Sequence, residues 1–200
     1  MNLVLKYHKD CSFEEFKEFL DSLTTELETW SLDKQALKTE KEWFFALRDS
    51  LTPSVFCYDE ETNKIVAMFS SHLNPIGQDH HINGNREEIP IVTHSYIVKK
   101  EYQGNSIAKQ GLEYYMNYIN SKIVKQNPEG LLFTLRYTIV DNKNAMKWVP
   151  MPQKYTVHYA RTSIDNMGSR NLCKSLGFTE HIIENNRVKY IKTYNFDNIS

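Results

Sequence analysis

The chain has 200 residues, enough for one well-buried α/β core, and its 24 Lys+Arg nearly cancel its 25 Asp+Glu, so no overall field draws in nucleic acid or an anionic membrane. The start, MNLVLKYHKD, lacks a signal-type apolar core, and no apolar run approaches the ~20 residues needed to cross a bilayer. A single cytoplasmic domain over residues 1–200 is expected, without membrane or nucleic-acid partners, and with Cys11, Cys57 and Cys173 as free thiols, since they are far apart and lack Cys-x-x-Cys spacing. In chain order, residues 2 to 7 alternate as a short strand, and Ser12 with Glu15 three residues later resembles a capping box. Phe13, Phe16, Phe19, Leu20, Leu23, Leu27 and Trp30 recur at helical spacing and predict an amphipathic helix. A weaker stripe, Leu37, Trp43, Phe44 and Leu47, predicts a second helix after a break near Ser31. VFCYDEETNKIVAMFSS predicts a hairpin with Asn63 at its tip, followed by a polar loop from about 74 to 88.

Residues 91 to 98, IVTHSYIV, give the clearest strand, and Ile107, Ala108, Leu112, Met116, Ile119 and Ile123 trace one face of a long helix beyond it. The runs 131–140 and 155–161 each predict a strand. Between them, 141–154 is polar, carries Pro150 and Pro152, and is marked as an insertion. A short helix around Ser169 to Ser175 should end at Gly177, which suits a left-handed position. Two closing strands, near 180–184 and 187–194, should turn at Asn185-Asn186.

The chemistry is concentrated where strand 91–98 meets the long helix. Val98-Lys-Lys-Glu-Tyr-Gln-Gly-Asn-Ser-Ile-Ala108 places a strand end, a tight polar turn and a helix start in succession. First-turn N–H groups lack internal partners and the helix dipole adds positive charge, so a diphosphate can be held there without a basic side chain. An ordinary strand-to-helix connection has the same outline. A serine at 106 in helical geometry would keep its N–H and add a hydroxyl, at the cost of Cβ bulk. His94 shares a strand face with Tyr96 and Val98 and is a candidate base, against the alternative of a hydrogen-bonded structural histidine. Asp79, His80 and His81 do not make a metal site, because adjacent histidines on an irregular chain point apart.

The stretch Gln103-Gly104-Asn105-Ser106-Ile107-Ala108 resembles the pyrophosphate loop of the GNAT N-acetyltransferases, Gln/Arg-x-x-Gly-x-Gly/Ala after a strand ending in Val, with Ser106 at the usual central glycine. Asn166-Met-Gly-Ser169-Arg-Asn-Leu172-Cys173-Lys-Ser-Leu176-Gly177-Phe178 resembles the family's Asn-x-x-Ala/Ser-x-x-Leu-Tyr-x-x-Leu-Gly-Phe. The resemblance implies an α/β (α+β) fold, with a mixed, mostly antiparallel sheet flanked by helices on both faces and two central strands splayed to admit the cofactor. It implies acetyl-CoA as co-substrate, no metal, and acetyl transfer to a primary amine of a small molecule or peptide, by a monomer or homodimer. Residues 103 to 108 would hold the pyrophosphate, Asn166 the pantetheine arm, and Ser169 would lie beside the cofactor. Backbone N–H groups near Ile97 and Val98 would polarise the thioester, some family members carry a catalytic histidine on the strand of His94, and Cys173 replaces the tyrosine that often protonates the departing sulfur. A non-catalytic acyl-CoA sensor with the same fold is the alternative.

Overall fold

The computed structural model describes residues 3–23, 40–48, 54–74, 91–126, 131–140, 143–152, 155–184 and 186–195. The elements are β1 (Leu3–Tyr7), α1 (Phe13–Ser22), α2 (Glu40–Arg48), β2 (Val55–Asp59), β3 (Lys64–Asn74), β4 (Ile91–Val98), α3 (Ile107–Gln126), β5 (Leu131–Val140), β6 (Lys143–Pro152), β7 (Tyr155–Ser163), α4 (Met167–Ser175), β8 (Thr179–Glu184) and β9 (Arg187–Asn195). Seven strands form one mixed, mostly antiparallel sheet in the order β1-β2-β3-β4-β7-β9-β8, and β5 pairs with β6 apart from it. The chain divides into two compact units, residues 1–72 with 94–115, and residues 73–93 with 116–200.

In the first unit, β1 runs antiparallel to β2 from Leu3↔Asp59 to Tyr7↔Val55, and β2 to β3 with a register shift between Cys57 and Tyr58. Asn63 turns this hairpin at φ 52, a conformation asparagine tolerates better than most residues. The capping box that starts α1 is complete: Ser12 Oγ accepts from the Glu15 N–H at 3.2 Å, and the Glu15 carboxylate accepts from the Ser12 N–H at 2.7 Å. The helix ends where Leu23 turns extended, at ψ 128, short of the predicted stripe; Leu27, Trp30, Leu37 and the loop 75–90 with Asp79, His80 and His81 lie outside the described residues. Its apolar face packs Phe16, Phe19 and Leu20 with Phe44 of α2 and with Phe56, Tyr58 and Met68 of the hairpin. The Phe16 ring sits 5.3 Å from that of Phe44 and 6.0 Å from that of Phe56, tilted or edge-on as aromatic quadrupoles prefer. At Gly111 in α3 an ideal Cβ would stand 2.1 Å from Phe69 Cζ, so the missing side chain is what lets the helix press on β3.

In the second unit, β4 pairs in parallel with β7 over Ile91↔Val157, Val92↔His158 and Thr93↔Tyr159. β7 then pairs antiparallel with β9 along its whole length, and β9 with β8. Asn186 turns this last hairpin at φ 59, Asn185 lying outside the described residues, and Gly177 at φ 77 follows α4 as its sequence position requires. Segment 141–154 departs from expectation. Most of it is strand β6, in register with β5 from Val140↔Lys143 to Leu131↔Pro152. Pro150 and Pro152 are two residues apart, so their missing N–H groups fall on one side of the strand and the other side is left for β5.

Candidate functional site

β4 forms because IVTHSYIV is rich in β-branched residues, with Val92, His94, Ile97 and Val98 buried. The Lys99 N–H donates to the Val66 carbonyl of β3 at 2.9 Å, and residues Lys100–Tyr102 make one 3-10 turn. The chain then reverses through Gln103, Gly104, Asn105 and Ser106, all exposed, before α3 opens at Ile107. The Gln103 amide donates to the Val98 carbonyl at 3.0 Å, and the Asn105 amide to the Tyr102 carbonyl at 3.4 Å, which braces the turn from inside.

Gly104 takes φ +84 with nothing within 4 Å of where a Cβ would be. Ser106 takes φ 60, which corrects the expectation of helical geometry at this residue. The turn must deliver the chain into the helix in a left-handed conformation, and a serine there is strained by about 1–2 kcal/mol. The first intrahelical bond runs from the Gln110 N–H to the Ser106 carbonyl at 3.0 Å. The N–H groups of Ile107, Ala108 and Lys109 therefore precede the helical ladder, at the positive end of a 20-residue helix. This is a backbone donor set suited to an anion.

His94 is 5% exposed, its ring edge-on to Tyr115 at 5.9 Å, and the Tyr115 hydroxyl shares a buried 2.9 Å hydrogen bond with Ser71. In the second unit, Asn166 caps α4, its side-chain oxygen accepting from the Ser169 N–H at 3.0 Å. Arg170 secures that cap by donating to the Ile164 carbonyl at 3.0 Å and to Tyr190 Oη at 3.3 Å, and it pairs with Glu180 at 3.4 Å. Cys173 is 1% exposed, and burial pushes its thiol up to about 12.

No protein-family model matches the sequence, and no curated protein matches it. Solved structures do. A GNAT-family acetyltransferase from Streptococcus pneumoniae aligns at a TM-score of 0.55 and 16% identity, over 97% of this chain and 99% of that one. The yncA structure from Salmonella typhimurium, solved with its cofactor acetyl-CoA, aligns at 0.53 and 13% identity over 99% and 96%. The ribosomal-protein-S18-alanine N-acetyltransferase of Escherichia coli aligns at 0.54 and 10% identity over 100% and 99%. The chain has the GNAT acetyltransferase fold.

Two neighbours of the β4–α3 turn escape sequence reasoning. Tyr102 Oη donates to Asp59 Oδ2 at 3.0 Å, and the same carboxylate accepts from the Glu61 N–H at 3.1 Å and Thr62 Oγ1 at 3.2 Å. The Glu61 N–H above all, then Tyr102 and Thr62, holds Asp59 below the usual carboxylate range. The local spacing Asp59-x-x-Thr62-Asn63 signals a side-chain-stabilised turn, but a tyrosine 43 residues away leaves no mark on it. Among the described residues, no helix is long and apolar enough to cross a membrane.

Proposed function

We propose that the protein is an acyl-CoA-dependent N-acyltransferase that moves an acetyl group from acetyl-CoA to a primary amine. The observation that carries this reading is the β4–α3 junction, where left-handed residues at 104 and 106 deliver three ladder-free N–H groups of Ile107, Ala108 and Lys109. The pyrophosphate would be held by Gln103 through Ala108, chiefly through backbone donors. The fold shared with yncA, solved with acetyl-CoA, supports the choice of anion. Asn166 spends its side-chain oxygen on the helix cap. Its NH2 is then the group for a pantetheine carbonyl, with Ser169 beside it.

In the reaction, the amine nitrogen attacks the thioester carbonyl carbon, the C–S bond breaks, and the sulfur leaves as thiolate. Backbone N–H groups near Ile97 and Val98 polarise the carbonyl as negative charge develops on its oxygen. His94, or a water it orients, takes the ammonium proton, since its position on β4 puts it on the strand that carries the thioester in this reading. Cys173 is a poor acid for the thiolate. Burial raises its thiol to about 12, so it yields its proton less readily than an ordinary cysteine, and the thiolate it serves is itself released toward solvent.

The test is a thermal-shift titration with acetyl-CoA, followed by free-thiol release with a panel of small and peptide amines. A rise in melting temperature and thiol release are expected, and His94→Ala should lower turnover while CoA affinity holds. No shift at millimolar acetyl-CoA would sink the reading. Stabilisation without thiol release from any amine would convert the enzyme into an acyl-CoA sensor.

A further inference from the structure

We propose that Tyr102 and Asp59 are positioning residues for the anion-binding turn, the Asp59 carboxylate holding residues 103 to 106 where their neighbouring helical N–H groups can meet the CoA pyrophosphate. This rests on the reading of 103 to 108 as the pyrophosphate turn. Asp59 ends β2, is buried, and spends Oδ1 on closing its own hairpin through the Glu61 N–H. Its Oδ2 accepts from both Thr62 and Tyr102. The segment after β4 is thus attached to the β2–β3 hairpin at two points: Lys99 N–H on the Val66 carbonyl, and Tyr102 Oη on Asp59.

Tyr102 transmits this anchorage. Its backbone closes the 3-10 turn on Lys99 at 2.9 Å, its carbonyl receives the Asn105 amide, and Gln103 follows directly. A phenol ring has few torsions, so fixing its hydroxyl fixes the main chain beneath it. The exposed turn needs such a hold, because Ser106 is kept left-handed against its own preference and Gly104 is free to take many conformations. A hydrogen bond to an ionised carboxylate is the stronger kind, and it acts at a distance from the phosphate, without touching it.

The experiment is calorimetric titration of CoA and dephospho-CoA, which keeps the pyrophosphate, into the wild type, Tyr102→Phe, Asp59→Asn and Thr62→Val, with ligand-free melting temperatures. Tyr102→Phe is expected to weaken both ligands about tenfold, the scale of one lost charged hydrogen bond, and to lower the ligand-free melting temperature by a few degrees with the fold retained. Asp59→Asn should weaken both in the same direction. Thr62→Val removes a bond to the same oxygen without reaching the turn, and should leave affinity within about twofold. A wild type that binds neither ligand would overturn the functional reading. A wild type that binds, with Tyr102→Phe equally tight, overturns the positioning role alone. An equal loss in Thr62→Val also overturns it, by tracing the effect to the hairpin as a whole. Should Tyr102→Phe not fold, Asp59→Asn decides by the same comparison.

Discussion

Replacing Gly111 by alanine sets two effects of opposite sign against each other. On an isolated helix the change stabilises by ~1 kcal/mol, because glycine is the more costly residue inside a helix. Here the new Cβ would stand 2.1 Å from Phe69 Cζ, 2.3 Å from Cε2 and 2.8 Å from Cε1. Carbon atoms pack at about 3.5–4.0 Å, so the helix or the ring must yield by more than an ångström. Phe69 is fully buried and has no solvent to swing into. Overpacking of this kind costs typically ~1–3 kcal/mol, and an overlap this deep belongs at the upper end. The net expectation is a destabilisation of about 2 kcal/mol, or a melting temperature lower by roughly 4–8 °C for a chain of this size. The assay is thermal and denaturant unfolding of Gly111→Ala, Phe69→Leu and the double variant. In the double variant, the alanine methyl should occupy the space the ring vacated, giving a favourable coupling of about 1 kcal/mol or more. A Gly111→Ala protein that melts higher than the wild type would refute the close approach of α3 to β3.

His158 is fully buried, bonded through Nε2 to Asn120 Oδ1 at 2.8 Å, and burial first, then Lys192, pushes it down to about 3. The unfolded chain binds this proton below about pH 6.5 and the folded one does not, so stability contributed above that pH is lost as pH falls toward 3. The loss should reach roughly 2–3 kcal/mol near pH 4.5, and His158→Gln should flatten that part of a stability–pH profile measured by denaturant unfolding. An unchanged slope would deny the buried neutral histidine. Ser106→Gly should relieve left-handed strain, offset by the greater freedom of glycine in the unfolded chain, for a gain of up to about 1 kcal/mol, and should tighten CoA binding in a titration. A loss of stability there would show that the serine hydroxyl outweighs its strain.

The β4–α3 junction was legible because a β-branched run, a polar turn with one glycine and a helical stripe follow each other without interruption, and each signal is local. Asn63, Gly177 and the Ser12–Glu15 capping box were legible for the same reason: one residue type answers one backbone need. Ser106 was not, since serine is uncommon at φ 60 and helical geometry was the natural expectation one residue before a helix. β6 was hidden by its prolines, which argue against a central strand but not against a strand whose ladder uses one side only. Tyr115 behind His94 and Asp59 behind Tyr102 come from distant segments, and side-chain pairing at that separation has no periodic trace in the chain. The end of α1 at Leu23 has no mark in the sequence, because the apolar stripe continues past it and apolar spacing alone does not encode where the backbone turns extended.

The β5–β6 hairpin has a consequence for engineering. Its two arms pair residue for residue with a constant register, Thr138 facing Ala145 and Val140 facing Lys143, and β5 and β6 form a sheet of their own. Removing facing residues in equal numbers from both arms at the tip therefore keeps every remaining pair in phase, and each side chain stays on its original face. Removing an odd residue from one arm flips the rest of that arm. The hairpin is thus an adjustable arm, to be shortened in matched pairs or lengthened the same way, with the seven-stranded sheet left in its own register.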